Sequence, residues 1–153
     1  MQEAVLSSRN QHPKMTSKII YDAQLMKVMS FFESRTRAKL KDCLTLKDFI
    51  IFVVQPGQIG KAIGKKGSNV RMLEYSLKKR IKIVEFSDDA AVFISNLIYP
   101  LKAKDVKQQG STVIIYCDYV KTKGLLIGRS SQNLRNTEKI VGRYFGVEHI
   151  RVE

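Results

Sequence analysis

The sequence contains only two cysteines and two histidines. Cys43 and Cys117 lie far apart in strand-like runs, and His12 and His149 stand in different parts of the chain. No Cys/His group has the spacing of a zinc site, so neither a metal nor a cysteine nucleophile is expected. Two buried thiols in a reducing compartment are the simplest expectation. Long apolar runs are missing too. None approaches the roughly 18 residues of a membrane span, and the N-terminus has no signal-peptide core. A soluble cytoplasmic protein with no membrane partner is therefore expected. Acids are scarce: 14 Asp plus Glu stand against 27 Lys plus Arg, for a net charge of +13. No paired carboxylates in an apolar context and no nucleophile–base spacing are present, so no enzyme, no catalytic residues and no cofactor are expected. A Walker A loop is excluded because Gly60 and Gly64 enclose only three residues and Lys65 is followed by Lys66. Gly57, Gly60 and Gly64 do not form a dinucleotide fingerprint.

What remains is a 153-residue chain, 44% hydrophobic, long enough for one ordinary domain or two small ones. Its positive excess favours a polyanionic partner, nucleic acid above all. Residues 1–15 are polar and aperiodic and read as a flexible tail, with Met15 as an alternative start. Thr16 or Ser17 then caps a helix whose apolar stripe is Tyr21, Leu25, Val28, Met29 and Phe32. Residues 39–46 and 49–54 read as strands, the second almost wholly apolar and so central. Pro56 and Gly57 break it. A short helix to Ile63 follows, then the loop Gly64-Lys65-Lys66-Gly67, then a helix over 68–79. That helix turns Val70, Leu73 and Leu77 inward and sets Glu74 one turn before Lys78. Residues 81–86 close the unit as a strand.

The same order then recurs. Ser87 is expected to cap a helix with Asp88 and Asp89 in its first turn and Ala90, Ile94, Leu97 and Ile98 on its stripe. Pro100 helps to end it. Residues 103–108 and 112–119 read as a hairpin turned at Gln109-Gly110. A short helix to Ile127, the segment Gly128-Arg129-Ser130-Ser131, a helix with Leu134, Val141 and Tyr144 inside, and a strand over 147–152 complete the copy. The halves align at an offset of 64: Gly60 and Gly64 match Gly124 and Gly128, and Asn69, Arg71 and Glu74 match Asn133, Arg135 and Glu138. Two domains follow, 16–87 and 88–153. Tyr99, Tyr116, Tyr119 and Phe145 are read as core, and His149 as a plain strand residue.

A Gly-x-x-Gly between two helices lets a ligand approach the backbone closely, because glycine has no side chain to clash. The next helix offers unpaired N–H groups and the positive end of its dipole. Charge gathers at both loops. Residues 61–82 carry eight Lys plus Arg against Glu74 alone, and residues 121–143 carry six against Glu138 alone. Twice in one context, this is a phosphate-binding pattern.

With its element order, the pattern resembles tandem type II KH domains, a module that clamps about four nucleotides with a GXXG loop. The implied fold is α+β, each copy α-β-β-α-α-β with a three-stranded sheet packed on helices. More narrowly, Ile63-Gly64-Lys65-Lys66-Gly67-Ser68-Asn69-Val70-Arg71, Ile83-Val84-Glu85-Phe86-Ser87-Asp88-Asp89 and Ile127-Gly128-Arg129-Ser130-Ser131-Gln132-Asn133-Leu134-Arg135 resemble the NusA family. Without the polymerase-binding and S1 domains of the bacterial members, the chain resembles the short archaeal form. The resemblance implies binding of nascent single-stranded RNA in transcription termination or antitermination, with RNA polymerase or other transcription factors as further partners and a monomeric state. A ribosome-associated or ribosome-assembly protein binding rRNA is the competing reading.

The expected RNA-binding residues are Gly64, Lys65, Lys66, Gly67, Ser68, Asn69 and Arg71, with Gly128, Arg129, Ser130, Ser131, Asn133 and Arg135 in the second copy. Phosphates would ride over the loops and bases would turn into a groove formed by Ile59, Ile63 and Val70, or by Ile127 and Leu134. Ser131 replaces the second glycine, where its side chain is expected either to hinder close backbone approach or to serve as a helix N-cap, its hydroxyl also able to donate to a phosphate. Lys78, Lys79 and Arg80 are read as structural, complementing a helix end.

Overall fold

The structure is a computed structural model in which residues 22–153 are described. The tail at 1–15, the expected caps Thr16 and Ser17, and Tyr21 lie outside the described residues. Two compact units are present, residues 22–88 and residues 89–153.

In the first unit, α1 (Ala23–Thr36) is capped by Asp22, whose carboxylate accepts the Leu25 N–H at 2.7 Å. This satisfies one of the donors that a helix start leaves open. The expected stripe is present: Phe32 is fully buried and stacks on Phe52 with ring centroids 4.2 Å apart, while Leu25, Val28 and Met29 pack at the edge of that cluster. Strands β1 (Leu40–Thr45) and β2 (Phe49–Val54) pair antiparallel, and β3 (Arg80–Glu85) joins β2 in parallel. The order β1-β2-β3 makes β2 central, as its apolar sequence requires. Parallel strands need a crossover, and here it is α2 (Ile59–Ile63), the glycine loop and α3 (Ser68–Leu77). Ile50, Phe52 and Val54 alternate along one face of β2 and meet Ala62 of α2 and Leu73 of α3 in a single cluster. Fully burying side chains such as Phe52 and Leu73 contributes about 1.5–3 kcal/mol each, which anchors both flanks of the loop.

The second unit repeats the design. Its first helix, α4 (Ala90–Ile98), is capped by Asp89, which accepts from the Ala91 and Val92 N–H groups. The cap is therefore not Ser87: Asp89 holds the extended backbone a capping side chain needs. Phe93, Ile94, Leu97 and Ile98 are buried, and Phe93 meets the rings of Tyr144 and Phe145 at 5.5 and 5.7 Å. The Tyr99–Pro100 peptide is cis. Strands β4 (Asp105–Gln109) and β5 (Thr112–Tyr116) form the hairpin, turned one residue later than expected, at Gly110-Ser111. Helices α5 (Val120–Ile127) and α6 (Gln132–Phe145) cross to β6 (His149–Val152), which pairs parallel with β5. The sheet order is β4-β5-β6. Each unit thus follows α-β-β-α-α-β, and the fold is two tandem KH domains of the expected α+β class. No helix among the described residues is long and apolar enough to cross a membrane.

Several side chains depart from their sequence reading. Tyr99 and Tyr119 are not core but 67% and 72% exposed. Cys43 is buried, whereas Cys117 is only half-buried. Burial pushes the Cys117 thiol up, with Lys123 opposing and Asp118 adding to the shift. Helix α3 ends at Leu77, short of the expected 79, because Lys78 turns left-handed at φ 58°.

Candidate nucleic-acid interface

Helix α2 ends where Gly64 adopts φ 79°, ψ 170°. That region is open essentially to glycine alone. A Cβ on Gly64 would also lie 2.9 Å from the side chains of Asn69 and Ser68. The chain then makes one tight turn, with Lys66 at φ 55°, ψ 30° and Gly67 at φ 75°, ψ 18°. The Gly67 N–H closes the turn on the Gly64 carbonyl at 3.1 Å, and the Ser68 N–H closes it on the Lys65 carbonyl. Neither bond uses the N–H of Lys65 or Lys66. Both of those side chains are exposed, as is Ser68.

The second loop has the same backbone. Gly128 stands at φ 76°, ψ 175°, Ser130 at 53°, 31° and Ser131 at 60°, 21°. A Cβ on Gly128 would come within 2.6 Å of the Asn133 side chain. The Ser131 N–H bonds to the Gly128 carbonyl at 3.2 Å. Ser131 does not act as the expected side-chain cap: it is left-handed and makes no capping bond. A Cβ at the equivalent Gly67 would sit 3.4 Å from the Arg71 guanidinium, an ordinary contact. Serine therefore fits this position at the cost of backbone strain alone, about 1–2 kcal/mol for a left-handed L-residue. Arg129 and Ser130 are exposed.

The other matched residues bond to the protein itself, with Arg71, Asn133 and Arg135 exposed. Asn69 Nδ2 donates to the Lys61 carbonyl at 3.0 Å, and Asn133 Nδ2 to the Leu125 carbonyl at 2.9 Å. The Arg71 guanidinium donates to the Lys66 carbonyl at 2.6 Å, and that of Arg135 to the Ser130 carbonyl at 2.7 Å. The Glu74 carboxylate accepts the Ile81 N–H at 3.2 Å, and that of Glu138 accepts the Ile150 N–H at 2.9 Å. Glu74 thus ties α3 to β3, and the Lys78 ammonium lies 4.7 Å over the Tyr75 ring. Ile59, Ile63, Val70, Ile127 and Leu134 are all half-buried. Ile59 packs on the core cluster.

Sequence reasoning found the loops but missed this bracing. The available signal was that Asn, Arg and Glu recur at the glycine offset, on helices rather than in the loops. It also missed Tyr75, 77% exposed one turn beyond Arg71. On β3, Lys82 is half-buried, and burial lowers the pKa of its ammonium. Among the described residues no group of three His, Cys, Asp or Glu is placed to hold a metal ion.

Two α-β-β-α-α-β units, each with a glycine-initiated turn between its crossover helices, define a tandem KH protein, and a KH-domain family profile matches residues 28–97. A protein of Methanococcus vannielii named as a probable transcription termination protein NusA is 35% identical over 127 residues, covering 81% of this chain and 73% of the relative. Its namesake in Halobacterium salinarum is 29% identical over 140 residues, covering 90% and 99%. A solved structure titled as the crystal structure of APE1850 superposes with a TM-score of 0.69 at 28% identity, covering 84% of this chain and 96% of that one. The chain belongs to the archaeal NusA family. That membership favours transcription over the ribosomal reading, and none of these relatives carries an enzyme's name.

Proposed function

We propose that both loops hold the phosphates of one single-stranded RNA, and that the chain acts on nascent transcripts in termination or antitermination. The observation that carries this reading is the shared backbone of the two turns, Gly64 to Gly67 and Gly128 to Ser131. Phosphate oxygens accept from the loop N–H groups while Lys65, Lys66 and Arg129 neutralise charge. The helix α3 or α6 begins directly after each turn, so its dipole adds in the same sense. Bases stack against half-buried aliphatic side chains, Ile63 and Val70 in one copy and Ile127 and Leu134 in the other. Two modules reading about four nucleotides each take up about eight, and tethering raises affinity through effective concentration.

The protein works as a monomer in the cytoplasm, with RNA polymerase or another transcription factor as its protein partner. Co-purification with polymerase and light scattering on the isolated chain test these two points. For RNA binding, the measurement is affinity for an unstructured oligonucleotide across a salt series. The double variant Lys65→Asp/Lys66→Asp should bind more weakly and with a shallower salt slope, since phosphate neutralisation is lost. Unchanged affinity in a folded variant would contradict the assignment.

A further inference from the structure

We infer that Asn69 and Arg71, with Asn133 and Arg135, are positioning residues that hold each loop in its binding shape before RNA arrives, rather than RNA contacts themselves. The inference rests on the loop reading above and changes the role of four residues within it.

Asn69 lies beside Gly64, in the space a Cβ would need, and its amide bonds back across the turn to Lys61 in α2. It joins the helix before the loop to the helix after it. Arg71 reaches back five residues to the carbonyl of Lys66, the left-handed residue at the centre of the turn. A left-handed residue followed by a second one is an uncommon backbone for anything but glycine. The guanidinium grips the carbonyl that this conformation exposes. Both bonds recur in the second copy within 0.1 Å, on Leu125 and Ser130. The loop side chains differ between copies, Lys65-Lys66-Gly67 against Arg129-Ser130-Ser131, and the braces do not. One bond to the equivalent carbonyl in each copy, beside loop side chains that differ, is what a residue that shapes the turn would make.

Preformation matters because ordering a loop upon binding weakens affinity. The second loop depends on its brace more than the first, since Ser131 holds φ 60° with a side chain where Gly67 holds 75° without one.

The test separates this role from charge. Arg71→Lys keeps the cation but replaces a planar fork by a single mobile ammonium. Amide hydrogen exchange in the free protein reads loop order without RNA. In Asn69→Ala and Arg71→Lys, exchange of the turn amides of Gly67 and Ser68 should quicken about tenfold while those of β2 stay protected. Arg135→Lys should quicken those of Ser131 and Gln132 by more. RNA affinity of Arg71→Lys should fall several-fold with an unchanged salt slope. Loop exchange identical to the parent in both first-copy variants would overturn the inference, as would full RNA affinity in Arg71→Lys where Lys65→Asp/Lys66→Asp binds weakly. Faster loop exchange beside wild-type RNA binding by Lys65→Asp/Lys66→Asp would instead support the brace and remove the phosphate reading.

Discussion

Lys66 and Ser130 hold nearly one backbone conformation, φ 55° and 53°, yet one presents a cation and the other a hydroxyl. The two loops thus separate variables that usually change together. Backbone shape is common to both; side-chain charge and the second glycine are not. What they share must come from residues they share: Gly64 and Gly128, the Asn and Arg braces, and the Glu clamps to β3 and β6. The difference teaches that a turn of this shape needs glycine only at its first position. At the fourth, a serine is held left-handed beside an arginine.

The largest effects are expected where the shared geometry is broken. Gly128→Ala should lose about 3 kcal/mol of unfolding free energy and Gly64→Ala about 2, because each forces a side chain into a glycine-only region and the clash is closer at Gly128. Chemical denaturation orders the two. Next comes charge. Lys65→Asp/Lys66→Asp should weaken RNA binding about a hundredfold and Arg129→Asp about tenfold, a gap that reflects two loop cations against one. Equal losses would mean the second copy contributes as much as the first. Exchanging the fourth residue should matter less: Gly67→Ser should destabilise by about 1 kcal/mol and Ser131→Gly stabilise by a similar amount, with little change in RNA affinity. Glu74→Gln and Glu138→Gln should each cost about 0.5–1 kcal/mol, alike in the two copies.

The smallest effect separates β3 from β6. Lys82 follows the clamped Ile81 as Arg151 follows the clamped Ile150, but Lys82 is half-buried and Arg151 exposed. Burial lowers the Lys82 pKa, so the folded state disfavours its charge relative to the unfolded chain. That penalty is fully present below the folded pKa and fades as pH rises from there towards the ordinary lysine value of 10.5. Lys82→Met should raise the Tm slightly at neutral pH, the electrostatic part of the gain shrinking in alkali. Arg151→Met should not.

The order of elements was legible because strand and helix periods alternate cleanly and the central strand is apolar throughout. The loops were legible because glycines recur at one offset. Helix starts were less so. Ser87, Asp88 and Asp89 are all good caps, and only the backbone at Asp89 decides among them. Ser131 read as a cap by residue type, yet its left-handed backbone prevents it. Asn69 and Arg71 were legible as residues that recur with Asn133 and Arg135 at the loop offset. Their bonds to Lys61 and Lys66 run over eight and five residues, a spacing that no helical or strand period announces. Tyr119 was read as buried because tyrosines usually are, but its place just before α5 leaves it in solvent.

The central claim is that two loops of one shape bind one RNA. It is tested most directly by an NMR titration of the labelled protein with an unstructured RNA of about eight nucleotides, two modules' worth. The amides of Lys65, Lys66 and Gly67 and those of Arg129, Ser130 and Ser131 should shift together along one binding curve. Shifts at neither loop, or saturation with the second loop unmoved, would contradict it.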